Sequence, residues 1–470
     1  MTRRLSSALV AALLLAVPCS ASAAERLVVK GGGFGHGVGM SQYGAMGQAQ
    51  LGKGYREILG HYYSETAVQR LSSTPTVRVL LQAGRSRVSF TGATQAGDRR
   101  LRPDRTYSAV VSGAGVALRS PTGRKLKTFP APLRVVGVSG QPVRLATGPM
   151  TGLYRGALEV RPARFGGLNV INALDLESYV RGVVARESPA SWPAEALKAQ
   201  AVAARTYAIT TNKPGEGFDH YPDTRSQVYA GVAAETPTTD AAIAATRSEV
   251  VTYRGRPVTT YFFSTSGGRT ENVEFGFAGG LPKPWLKSVD DPYDKVSPRH
   301  RWNFRFTPKQ ARAKLGGLVK GKLRGIRVVQ RGVSPRVVRA EVVGSAGTTA
   351  VDGPTLRSRL GLYDTWAYFT LIGAKAEPEE EPPAEEGEES AELGPARAAS
   401  VRGGGVVSGR VRPARRGSEV VVQRRTATGR WLTEVRTHIG KRGRYNARVT
   451  RAGVYRAVVG GIASPAARLR

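Results

Sequence analysis

The 470-residue sequence has almost no cysteine, for Cys19 is the only one and it falls close to the N-terminus. If that end is removed from the mature protein, disulfides, thiolate nucleophiles and cysteine-bound metals are all excluded. Histidine is scarce as well, at five residues, which argues against a histidine-built metal centre. After the N-terminus no apolar run approaches the ~20 residues that cross a bilayer. Motifs of several large enzyme classes are also missing. The glycine-rich segment 31–45 contains no G-x-G-x-x-G register and no P-loop lysine, and no G-x-S-x-G elbow is present. Carboxylates are the last scarcity, at 35 Asp and Glu against 70 Lys and Arg, for a formal charge of +35. Such an excess predicts attraction to polyanions and says nothing about fold. Part of it reflects a general bias toward Ala, Gly, Val and Arg.

What is present begins with a leader. Arg3 and Arg4 precede a short apolar run over 8–17, and Ala21-Ser22-Ala23 offers a small-residue cleavage site. Residues 1–23 therefore read as a secretory signal peptide. Pro18 argues against lipid attachment at Cys19. An exported, basic chain meets teichoic acids, phosphorylated wall glycans and anionic lipid, so nucleic acid is not expected as a partner. The expected location is the cell wall or extracellular space.

The chain divides at a run of acid. EPEEEPPAEEGEESAE (377–392) cannot bury apolar surface and reads as part of a disordered linker over 375–400. Residues 401–470 follow with 17 basic and 2 acidic side chains over 402–470. Short alternating segments around Val420, Trp431, Tyr445 and Tyr455, punctuated by glycines, predict a small β-sandwich. It reads as a wall-attachment unit or as a spacer with solvated arginines. Residues 25–374 form the main domain, with strands predicted over 77–81, 107–111, 133–138 and 158–160. One helix is predicted over 193–211, where Leu197, Ala201, Ala204 and Ala208 share a face, with Ser191 as its cap. The fold class is α+β, β-rich with a few helices.

Four segments look too particular to be scaffold. GGGFGHGVGMSQYGA (31–45) sets His36, Ser41 and Gln42 among alternating glycines, which predicts a flat strand edge that a ligand can approach closely. VVARESPASWPAEALKAQAVAARTYA (183–208) carries Glu187 beside Ser188-Pro189 and near Trp192. A carboxyl partly desolvated there stays protonated at neutral pH, as a general acid must; helix-end capping is the plainer role for it. Arg205 reads as its partner or as a substrate contact. FFSTSGGRTEN (262–272) offers Thr265, Ser266 and open backbone amides, the neutral donors and acceptors that suit a sugar. DHYPDTRSQVYAG (219–231) supplies Gln227 and a lone His220, which reads as structural.

Together these segments resemble the stage II sporulation protein D and amidase-enhancer family. YRGALEV (154–160), the stretch 170–208, SQVYAG (226–231), PWLKSVDDP (284–292) and VDGPTLRSRLGL (351–362) add to the resemblance, which spans most of 31–369. The family includes lytic transglycosylases that cut peptidoglycan glycan strands and leave 1,6-anhydro-muramic ends. Its catalytic glutamate falls on Glu187, with His36, Ser41, Gln42, Arg205, Gln227, Thr265 and Ser266 as substrate-positioning groups. The family also includes non-catalytic enhancers that stimulate a separate wall amidase. The implied partners are glycan strands, anionic wall polymers and such an amidase; no cofactor is implied. Some relatives hold zinc through His and Cys near the stretch matching 219–231, where only His220 remains here, so no metal is expected. The segment 31–45, followed by EILGHYYSE (57–65), comes late in relatives and first here, while GLYDTWAYF (361–369) ends the domain. The order predicts a circular permutation, which close termini tolerate.

Overall fold

The computed structural model describes residues 25–372 apart from 139–140 and 212–216. It also describes most of 392–469, omitting 394–396, 402–403, 413–417, 427–428, 441–442, 460–461 and 465. The expected signal peptide and most of the expected linker lie outside the described residues. The chain separates into two compact units, 1–375 and 376–470.

The first unit is strand-rich with several helices, and three buried clusters organise it. Two six-stranded antiparallel sheets carry the largest cluster. One contains the strands Val88–Thr91 and Tyr107–Ser112; the other contains Thr76–Arg85, Leu133–Gly137, Ala157–Pro162 and Leu168–Asp175. All four strands predicted in this region are present. Alternation explains them: in Thr76–Arg85 the side chains of Val77, Val79 and Leu81 point into the core while Thr76, Arg78 and Leu80 are more exposed.

Helix α1 (Gln42–Gln50) and helix α2 (Tyr55–Tyr62) build a second cluster with helix α4 (Ala194–Thr210). Helix α3 (Leu176–Glu187) precedes α4, and helix α5 (Pro237–Ala245) packs near both. The α4 sequence explains its place. Ala201, Ala204 and Ala208 pack on the sheet cluster, while Ala199, Val202 and Ala203 pack on the α1–α2 cluster. With small side chains on both faces, two neighbours approach one helix closely, and larger residues there would overpack it. Its cap differs from expectation: Pro193 occupies the N-cap with no side-chain hydrogen bond. Proline lacks the donor that the first turn leaves unpaired anyway.

The third cluster surrounds the strand Arg26–Gly31. This strand lies between Trp302–Phe306 and Ala367–Ile372, antiparallel to both, with Val29 opposite Phe304 and Phe369.

Arg205 is wholly buried on α4 and makes two parallel bonds to Glu177 on α3, Nε to Oε1 at 3.0 Å and Nη2 to Oε2 at 2.9 Å. Nη1 also donates to the Glu249 carbonyl at 3.0 Å, and Glu177 accepts the Ser248 N–H at 3.0 Å. Every charge-bearing atom is thus answered, the condition for burying such a pair at tolerable cost. Arg205 therefore touches neither Glu187 nor solvent, and its expected role as a substrate contact is corrected: a guanidinium sealed beneath α4 serves the core.

The second unit has two antiparallel sheets around one cluster that includes Val407, Val420, Val422, Tyr445, Ala447, Val449, Tyr455 and Ala457.

Replacing Arg205 by Met leaves Glu177 buried and half-paired. The expected loss is about 3–5 kcal/mol in chemical denaturation. A loss below about 1 kcal/mol would show that this pair does not hold α3 to α4.

Candidate functional site

An open cleft of about 610 Å³ is lined by Phe34, His36, Gln42, Glu187, Tyr207, Arg225, Ser226, Val228, Ser264, Phe277 and Arg357, among others. Glu187 is the only carboxylate lining it among the described residues. Local sequence sets its position. Asp175 caps α3 by accepting the Ser178 N–H at 3.0 Å. Ser188 then turns extended before Pro189, so Glu187 is the last helical residue.

The Glu187 carboxyl is held on both sides. Oε1 accepts the Val228 N–H at 2.9 Å, and the Gln42 amide reaches Oε2 at 3.5 Å and the Glu187 carbonyl at 3.0 Å. Burial raises its pKa above the usual carboxylate value, while the bonds from Val228 and Gln42 pull the other way. The negative end of the α3 dipole acts in the same direction as burial. The result is a carboxyl that keeps its proton above the ordinary range, fixed in orientation and facing open space.

His36 lies on the same cleft with both ring nitrogens engaged. Nδ1 accepts the Val38 N–H at 3.1 Å, and Nε2 lies 3.1 Å from the Phe262 carbonyl. Nε2 must then carry the proton. Burial, with the Arg336 and Arg357 charges, lowers its pKa to about 3. It is a neutral, positioned ring rather than a proton donor. The glycines around it do not make a flat strand edge. Gly33, Gly35, Gly37 and Gly39 all have positive φ, between 77° and 132°. A Cβ on Gly39 would sit 2.1 Å from the Tyr261 carbonyl oxygen. The segment is a contorted ribbon pressed against 261–265, which only glycine permits.

The remaining expected contacts divide differently. Gln42, the first residue of α1, reaches Glu187 directly. Ser41 is buried as the α1 N-cap, its Oγ accepting from Gly44 and Ser266 N–H groups. Ser266 is buried and its Oγ accepts the Gly268 N–H, and Thr265 Oγ1 meets Ser297 Oγ at 2.7 Å. Gln227 is buried, accepting from the Tyr179 hydroxyl and donating to the Ala204 carbonyl. These four brace the cleft from behind. Their hydroxyls and amides are spent on backbone and neighbours, so none lines the surface. His220 is also buried, its Nε2 at 2.8 Å from the Ala208 carbonyl and its ring stacked on Tyr179.

Several lining residues escaped sequence reasoning. Arg225 sits in the segment already singled out, two positions before Gln227, paired with Asp223 and lying 3.7 Å over the Tyr221 ring. It also borders a second depression of about 1270 Å³ that includes Gln82, Arg161, Tyr221 and the 93% exposed Phe165. Tyr207 is signalled by its position at the end of α4 and Arg357 by its place in the segment 351–362; Phe277 carried no local signal.

The first unit is thus a mixed α+β domain whose cleft presents one protonatable carboxyl together with two arginines, Arg225 and Arg357, and neutral polar groups. Part of that domain is similar to known proteins. The family described as stage II sporulation protein matches residues 164–253, the span holding α3, α4, Glu187 and Arg225. Stage II sporulation protein D of Bacillus subtilis is 34% identical over 210 residues, 41% of this chain and 59% of that protein. An uncharacterised protein of Brachyspira hyodysenteriae is 42% identical over 123 residues, 26% of this chain and 33% of that one. An amidase enhancer of Bacillus subtilis is 37% identical over 142 residues, 30% of this chain and 19% of that one. The chain is thus similar to stage II sporulation protein D over part of its length, and it spans 59% of the length of the sporulation protein it matches.

Replacing Gln42 by Leu removes a donor that favours the Glu187 carboxylate, so the Glu187 pKa is expected to rise further. Carboxyl-detected NMR titration measures it; an unchanged or lower value would show that the Gln42 amide does not act on Glu187.

Proposed function

We propose that the chain is an exported wall protein that cleaves peptidoglycan glycan strands as a lytic transglycosylase, with Glu187 as acid and base. The observation that carries the reading is the raised pKa of an oriented Glu187 in a cleft with no second carboxylate among the described residues. Glycosidases ordinarily need two carboxylates, whereas an intramolecular route needs one. Protonated Glu187 gives its proton to the glycosidic oxygen as the muramic C1–O bond breaks. The resulting carboxylate takes the proton of the muramic 6-hydroxyl as that oxygen bonds to C1. The 1,6-anhydro ring closes, no water is consumed, and Glu187 returns protonated. In this scheme Val228 N–H and Gln42 steady the carboxylate formed midway, and His36 and Arg225 border the bound strand.

The paired strands Arg26–Gly31 and Ala367–Ile372, and the shared cleft of His36 and Glu187, support a permuted order of segments. The two sheets of the second unit around one cluster support a sandwich. A second reading, favoured by the likeness to an amidase enhancer, makes the cleft a glycan-binding surface that stimulates a separate wall hydrolase.

Digestion of purified glycan strands, read by mass spectrometry, separates the two. The wild-type chain is expected to make anhydro-muramic ends unaided, and Glu187→Gln to lose at least about a hundred-fold in rate with wall binding retained. Activity should fall as pH rises through the Glu187 pKa, since the acid must be protonated. No anhydro product without an added amidase would leave the enhancer reading; full turnover by Glu187→Gln would remove Glu187 from the chemistry.

A further inference from the structure

The second unit carries a cluster of like charge for which the described residues show no ion pair. The strand Arg444–Val449 alternates strictly: Tyr445, Ala447 and Val449 are buried, while Arg444, Asn446 and Arg448 are exposed. It pairs antiparallel with Gly404–Arg412, setting Arg410 opposite Arg444, Ser408 opposite Asn446 and Val406 opposite Arg448. Directly opposed residues share a face, so Arg410, Arg444 and Arg448, with Ser408 and Asn446 between them, form one outward patch.

Two arginines directly opposed across a ladder repel and weaken the sheet. A counter-charge nearby would offset this; Glu392 stands opposite Arg412, one step beyond the patch on the same strand, and residues 402–470 hold two acidic side chains, Glu419 and Glu434. Glu419 and Glu434 are occupied elsewhere, by Arg436 at 2.6 Å and by Arg424 at 3.1 Å. Among the described side chains no ion pair is made by the three arginines of the patch. No aromatic side chain stands in the patch to stack on a sugar ring, and Trp431, on the other sheet, lies under Arg456 at 4.4 Å. From Arg444 to Arg448 the strand advances about 13 Å, too far for one small anion to meet both.

We propose that this face binds an extended phosphodiester polymer of the wall, a chain of polyol phosphates, with successive phosphates taken by the guanidinium forks. Guanidinium matches the phosphate oxygens two at a time and is weakly hydrated, so Arg suits this ligand better than Lys. Ser408 and Asn446 offer neutral donors to the polyol hydroxyls between phosphates. The binding does not depend on the chemistry at Glu187, and loss of either function leaves the other measurable.

The test uses the full chain and a purified glycerol-phosphate polymer in calorimetry, together with sedimentation on walls before and after chemical removal of their phosphate polymer. The triple variant Arg410→Ser, Arg444→Ser, Arg448→Ser is expected to lose about ten-fold or more in affinity, with a shallower salt dependence, as three exposed charge pairs predict. A control triple of equal charge, Arg425→Ser, Arg430→Ser, Arg451→Ser, should lose less than about two-fold. The Lys triple at 410, 444 and 448 keeps charge and strand pairing, so it reports even if the Ser triple unfolds. It should bind more weakly than wild type, because the fork is lost. Equal losses in the patch and control triples, full binding by the Lys triple, or equal sedimentation on phosphate-free walls would each overturn the proposal.

Discussion

The cleft depends on the bidentate pair of Arg205 and Glu177. It joins α4 to α3 in a place from which water is excluded, and Glu187 is the residue at which α3 ends. If α3 slid along α4 by one residue, the forked geometry would be lost and a charge left bare in the core, so the register of the two helices is sharply defined. The alanine faces of α4 cooperate, because close packing leaves no room for an intermediate position. A carboxyl whose orientation matters is in this way positioned by an ion pair that never meets the cleft.

The cleft is built in layers of decreasing rigidity. Ser41, Thr265, Ser266 and Gln227 lie behind the surface with their polar atoms satisfied internally. In front of them His36 is pinned by two hydrogen bonds and held neutral. Glu187 is the exception, since its bonds come only from one backbone N–H and one long amide contact, and one face of the carboxyl remains open. Burial pushes its proton affinity up while those donors restrain it, which leaves a group able both to give and to accept a proton.

Much of this was legible in sequence where the signal is local. The strands of the main sheets follow from two-residue alternation, the α4 helix from its alanine spacing, and the choice of Glu187 as a candidate from the segment around it. Readings failed where chemistry depends on what lies opposite. Ser41 and Ser266 have the residue type of a sugar contact, but one caps a helix and the other a turn. The glycines of 31–45 suggested a flat edge because alternation looks alike whether φ is negative or positive; the crowding by Tyr261 and Phe263 that requires positive φ comes from more than two hundred residues away.

The amino-acid sequence by itself determined the composition-level properties: a basic chain poor in cysteine, α+β with a separate basic C-terminal region, and segments around Glu187 that resemble a known family. Tertiary structure decided which polar groups face solvent. Arg205 and Arg225 are both arginines in chemically suggestive segments, yet one is sealed in the core and the other borders the cleft. The difference is the partner each meets: a buried carboxylate on α3 in the first case, and an exposed aspartate and tyrosine ring in the second. Burial is a property of neighbours brought together from distant parts of the chain, and no local pattern of residues encodes it.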